Sequence, residues 1–113
     1  MFIENKMGFK TEFNWVLKLK PENGFPIDLI VGKDYEFIKN EYRVYPIDIA
    51  IDLADKDWNV VAKVVVVKFC CGTGQTTGVF RVVKIYDQFE KDFLSDYWKN
   101  DVKRLRERRV LTK

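Results

Sequence analysis

Two stretches in the middle of the chain demand strands and leave room for little else. The first, Tyr45-Pro46-Ile47-Asp48-Ile49-Ala50-Ile51-Asp52-Leu53, alternates strictly and puts Tyr45, Ile47, Ile49, Ile51 and Leu53 on one face. The second, from Trp58 to Phe69, is apolar at nearly every position, with an unbroken valine run from Val64 to Val67. A period of two marks a strand with one face buried. A continuous β-branched run marks one buried on both faces, as inside a closed barrel or a covered sheet.

The flanking sequence extends this pattern. Phe13, Trp15, Leu17 and Leu19 alternate with mostly polar neighbours and predict a one-sided strand, ended by Pro21-Glu22-Asn23-Gly24-Phe25-Pro26. Gly32 leads into a shorter strand over 33–39, with Tyr35 and Phe37 on one face, and Asn40-Glu41 turns it into a strand over 43–53. Pro46 lies near the start of that strand, where a missing N–H does least harm. Ala54-Asp55-Lys56-Asp57 reads as a tight hairpin into the valine strand, and a strand over 79–86 returns from the glycine-bearing segment 70–78.

Asp87 followed by Glu90 is a capping box, the opening of a helix running from Phe89 to about Arg106. Phe93, Tyr97, Trp98 and Leu105 should form the face that packs on the sheet. The expected fold is α+β, mainly β: a small antiparallel or mixed β-barrel with one long C-terminal helix. Residues 1–113 form a single domain with a basic tail from about 103.

Several function classes fall away on composition. The chain has no histidine, which removes the usual general base at neutral pH and the commonest metal ligand. Its two cysteines, Cys70 and Cys71, are adjacent, a spacing that rarely closes a disulfide and cannot build a zinc site alone. No cofactor or metal is expected, and cysteine catalysis lacks a basic partner. No apolar run approaches the roughly 20 residues needed to span a bilayer, and the start of the chain lacks a signal-peptide stretch. A cytoplasmic protein with no membrane role is the expectation. The net charge of +3 is uneven: from Lys103 onward six basic residues face Glu107 alone, whereas the rest of the chain is slightly acidic.

Gly32-Lys33-Asp34-Tyr35-Glu36 resembles part of the pattern of the PUA/ASCH-like superfamily of small barrels, in which a glycine, a lysine, a glutamate and an arginine stand near the entry to an early strand. Here the lysine follows the glycine directly, and Ile38 stands where the arginine would fall. The resemblance implies a small barrel that binds RNA or a nucleotide. Tyr42-Arg43-Val44-Tyr45-Pro46-Ile47-Asp48-Ile49 is similar to the signature of an uncharacterised family of small bacterial proteins, which implies no activity.

The residues therefore suggest a non-catalytic binding module for RNA or a nucleotide. Lys33, Lys39 and Arg43 would supply charge, and Tyr35 and Tyr45 stacking surfaces, the chemistry that holds unstacked bases. Thr73, Gly74 and Thr76 belong to a glycine-bearing segment able to form an anion-binding nest, and Arg106 in the tail suits phosphate contacts. The blander readings are solvated charges beside strand ends, core tyrosines and a plain hairpin loop. Two alternatives stand beside this one. The first is a protein-interaction or homodimerisation domain built on the valine-rich sheet and aromatic helix. The second is an ASCH-like nucleotide-processing enzyme using Lys33 and Glu36. A basic groove favours nucleic acid, and an exposed apolar surface favours protein interaction.

Overall fold

The computed structural model describes residues 14–102 and the backbone of two short antiparallel strands, β1 (Phe2–Glu4) and β2 (Lys10–Glu12). The main sheet has five strands: β3 (Val16–Lys18), β4 (Asp34–Lys39), β5 (Ala50–Ala54), β6 (Val60–Gly72) and β7 (Gln75–Ile85). Their order is β3-β5-β6-β7-β4, with β3 parallel to β5 and every other pair antiparallel. The sheet is mixed and curls into a half-barrel. Lys39 Nζ, on one edge strand, donates to the carbonyl of Lys18 on the other at 2.7 Å. A 3-10 turn over Pro21–Asn23 packs beside β4, and Gly24 after it has φ +106°. Any Cβ at Gly24 would collide with the Glu36 carbonyl, so glycine alone fits this close approach.

The inner face of the curl holds the main core. Leu17, Phe37, Leu53, Val64, Val66 and Phe80 meet there from all five strands. Tyr35 stacks on Phe80 at 5.5 Å, and Phe37 meets Tyr45 edge-on at 5.6 Å. A second cluster of Ala54, Val60 and Tyr86 is covered by Leu94 and Trp98 of the helix. This helix, α1 (Gln88–Asp96), runs on through a π-helical turn at Tyr97–Asp101. The expected cap is present: Asp87 accepts from the Glu90 backbone N–H at 2.8 Å, and Glu90 accepts from that of Asp87 at 3.1 Å.

Four expectations are corrected. The strand expected over 43–53 is regular only from Ala50; before it, Asp48 takes φ +60°, and Ile47 and Ile49 turn out to solvent. Pro46 has no N–H to give a ladder, and aspartate tolerates the left-handed region, so the alternation breaks between them. Asn40-Glu41 does not pair β4 with β5, since β4 lies against β7 at the opposite side of the sheet. The valine run is buried on one face only. Val60, Ala62, Val64 and Val66 are inside, while Val61, Val65 and Val67 stay partly exposed because the helix reaches only the start of β6. Finally, α1 docks by Leu94, Ser95 and Trp98, leaving Phe93 and Tyr97 outside. Leu105 lies outside the described residues.

Candidate functional site

The residues expected to bind nucleic acid are not gathered on one open face. Tyr45 is a core residue, wedged edge-on between Phe37 and Phe69. Its burial raises the hydroxyl pKa well above the ordinary tyrosine value. Tyr35 is half-buried, and its hydroxyl accepts from the Ile30 N–H at 2.9 Å and donates to the Asp28 carbonyl at 2.8 Å. It therefore fastens the loop before β4. The exposed Lys33 lies 5.2 Å over the Tyr35 ring, a cation–π contact. Lys39 is committed to the Lys18 carbonyl, and burial lowers its pKa. Arg43 pairs with Glu41 at 2.6 Å. Arg106 lies outside the described residues.

The segment 70–78 is a two-residue hairpin. Thr73 and Gly74 have φ +53° and +76°, and Gly72 pairs directly with Gln75. Two consecutive positive φ angles match the twist of the flanking strands, as in a type I′ turn. The Gly74 N–H donates to the Tyr42 hydroxyl at 2.9 Å, so its direction serves the hairpin tip and not an anion nest. Thr76 is fully buried: its hydroxyl donates to the Glu41 carbonyl and accepts from the Arg43 N–H, both at 2.8 Å. This single side chain straps the 41–43 segment across the end of the sheet. Thr76→Val keeps the shape and deletes both bonds, and should cost about 1–3 kcal/mol in urea unfolding. A loss near zero would show that water replaces the hydroxyl.

Three other features could meet a ligand or partner. A groove of about 630 Å³ crosses the outer face of β4, β7 and β6, lined by Glu36, Ile38, Thr77, Val79, Lys68 and Cys70 among others. A smaller one, about 360 Å³, runs between α1 and the start of β6. The third is the outer face of α1. Phe89 is 77% exposed, Phe93 64% and Tyr97 41%, and the two phenylalanine rings stack at 6.4 Å with no covering layer among the described residues.

The buried side of the same helix is anchored by chemistry that the sequence pattern did not bring out. Asp52, mid-strand in β5, accepts from the Tyr86 hydroxyl at 2.6 Å and from Trp98 Nε1 at 2.9 Å. Burial first, and the hydrogen bond to Asp52 second, raise the Tyr86 pKa so that the phenol stays a donor. Trp98 also stacks on Trp58 at 6.3 Å, and Lys18 lies 4.7 Å over the Trp58 ring. A signal for the exposed stripe was present in the sequence. Phe89, Phe93, Leu94, Tyr97 and Trp98 cover an arc wider than one sheet face can bury.

No protein-family model matches the chain, and no curated protein does. Among solved structures, the crystal structure of Protein ytmB from Bacillus subtilis is similar, with 22% sequence identity and a TM-score of 0.54. The similarity covers 67% of this chain and 90% of that one. At that identity the likeness shows the fold alone. No helix among the described residues is long and apolar enough to cross a membrane.

Proposed function

We propose that the protein is a non-catalytic protein-interaction module that docks through the outer face of its C-terminal helix. The observation that carries this reading is the stacked pair Phe89 and Phe93, continued by Tyr97, exposed on a helix with no fully buried residue. The two phenylalanines leave roughly 300 Å² in water, taking about 200 Å² for each full ring side chain. Covering that area returns several kcal/mol before the cost of association, a sufficient centre for an interface.

The nucleic-acid reading has less support. Its aromatic residues are core or loop-fastening groups, and its charge comes mainly from the tail. A PUA/ASCH-like affiliation is consistent with the curled sheet and terminal helix, and belongs to this proposal together with a cytoplasmic setting. The free thiols of Cys70 and Cys71 fit a reducing compartment.

The test is a photo-crosslinking amino acid placed at Phe93 and, as a control, at Lys56 in the β5–β6 loop. Protein adducts should form from position 93 and not from 56. Absence of any adduct at 93 would remove the interaction reading. Salt-sensitive binding of single-stranded RNA that disappears when residues 106–113 are deleted would replace it with the nucleic-acid one.

A further inference from the structure

No open face gathers every residue expected to bind nucleic acid, but three of them meet where the chain crosses the end of the half-barrel. Lys39 ends β4 and reaches across to the Lys18 carbonyl of β3. Arg43 follows on the segment strapped by Thr76, and Cys71 Sγ lies 3.5 Å from its carbonyl. Tyr45 comes two residues later, with its ring in the core. Only 3% of Tyr45 is exposed, yet its hydroxyl has no hydrogen-bond partner among the described residues. No fully buried side-chain oxygen among them is left unpaired, so the exposed sliver includes this hydroxyl. Arg43, Glu41 and Cys71 are the titratable groups that act on it.

Positive charge is in excess at this corner. Burial first, then the charges of Arg43, Lys18 and Lys20, lower the Lys39 pKa, and Glu41 alone opposes them. Four cations thus surround one carboxylate, on a chain whose residues before 103 are acidic on balance. Lys18 turns its ammonium to the Trp58 ring and adds only its field. The other groups keep donors in reserve. Lys39 gives one of three ammonium protons to the Lys18 carbonyl, and Arg43 gives Nη2 to Glu41 Oε1 at 2.6 Å. The Tyr45 phenol stays protonated through burial and is a further donor.

From this we infer that Lys39, Arg43 and the Tyr45 hydroxyl form a binding site for a phosphate group, free or as the monoester of a small molecule. Glu41 is its internal stand-in. A phosphate dianion offers three oxygens and nearly two charges, which match two cations and a phenol better than one carboxylate does. The Glu41 side chain is 52% exposed, so its ion pair with Arg43 is weak and can open. A nucleobase would find no platform here, because the Tyr45 ring is covered by Phe37 and Phe69. The corner lies toward the hairpin end of β6 and β7 and away from α1, so the inference stands apart from the helix reading.

Nuclear magnetic resonance of the full chain tests the site, with inorganic phosphate and phenyl phosphate titrated at constant ionic strength against chloride. Amide shifts over residues 39–45 should move and saturate with a single dissociation constant. Arg43→Gln should raise that constant by about tenfold or more, and Tyr45→Phe, which keeps the ring and deletes the hydroxyl, by about threefold. Glu41→Gln should lower it by about threefold, because the competing carboxylate is gone. A purely structural ion pair would give no such tightening. Thermal melting of each variant checks that the fold is kept. Tighter binding of phenyl phosphate makes the ligand a monoester, and tighter binding of inorganic phosphate makes it the free ion. Shifts that grow linearly without saturating, or a Glu41→Gln variant that binds no tighter than the unaltered chain, overturn the proposal.

Discussion

Phe80→Ala should lower the stability of the fold by about 3–5 kcal/mol, a large part of the 5–15 kcal/mol typical of a domain. Phe80 has no exposed surface and lies in the middle of β7, where the pairing with β4 sets its ring between Tyr35 and Phe37. Alanine removes the ring and leaves a cavity that five strands cannot close, since the curl is already held by the Lys39 bond and the Gly24 contact. The effect should also spread. Tyr35 loses its stacking partner, and its hydroxyl is what fastens the loop at Asp28 and Ile30. Urea unfolding should show the lower midpoint, and hydrogen exchange should show faster opening of the Ile30 amide before global unfolding. Phe80→Leu fills most of the space and should cost about 1 kcal/mol. An alanine variant that loses less than about 1 kcal/mol would mean that the core is not centred on this residue.

Where local chemistry decided the structure, the sequence was readable. The capping box at Asp87 and Glu90 needs only residues three apart, and it formed as expected. The hairpin after Ala54 is likewise local: Asp55 accepts from the N–H groups of Asp57 and Asn59, both at 2.9 Å, and that turn fixes the start of β6. Mainly β architecture followed from the period-two segments. Placement of strands across the sheet did not, because β4 and β5 are near in sequence and separated by β6 and β7 in space. Nothing in residues 40–41 states that the chain must cross the end of the sheet. The bond from Thr76 that directs it comes from more than thirty residues away.

The candidate site shows the same limit. Lysine, arginine and tyrosine near strand ends can equally fasten a loop or face a ligand, and the difference lies in partners that are remote in sequence. Tyr45 was legible as a core or rim aromatic, and the structure puts it in the core. For the helix, the pattern gave too many apolar residues and no means of choosing among them. The choice was made by Asp52, one acidic position on the alternating strand, which offers two carboxylate oxygens to the groups that can donate. Trp98 has an indole N–H and Phe93 has none, so the helix turned Trp98 inward.

That contest gives the second large effect. Trp98→Ala should destabilise the protein by about 2–4 kcal/mol, less than the 3–5 kcal/mol of a fully buried tryptophan because Trp98 is only partly buried. The loss has two parts, and they can be separated. Trp98→Phe keeps most of the packing on Trp58 and deletes the bond to Asp52, so its cost reports the charge-assisted hydrogen bond, about 1.5–3 kcal/mol. Asp52→Ala combined with Trp98→Phe should cost less than the sum of the two single changes, because both remove the same contact. Strict additivity would show that Asp52 and Trp98 do not act as a unit. Near-ultraviolet circular dichroism gives an independent reading, since the stacked Trp58–Trp98 pair at 6.3 Å should produce a coupled signal that either Trp98 change abolishes. The same variants bear on association. A helix released from Asp52 loses the fixed orientation that holds Phe89 and Phe93 outward, so Trp98→Ala should lower the yield of protein adducts from a crosslinker at position 93 although Trp98 belongs to the face turned toward the sheet. Crosslinking of Trp98→Ala below its unfolding midpoint measures this, and an unchanged adduct yield would show that the outward set of Phe89 and Phe93 does not depend on the bond to Asp52.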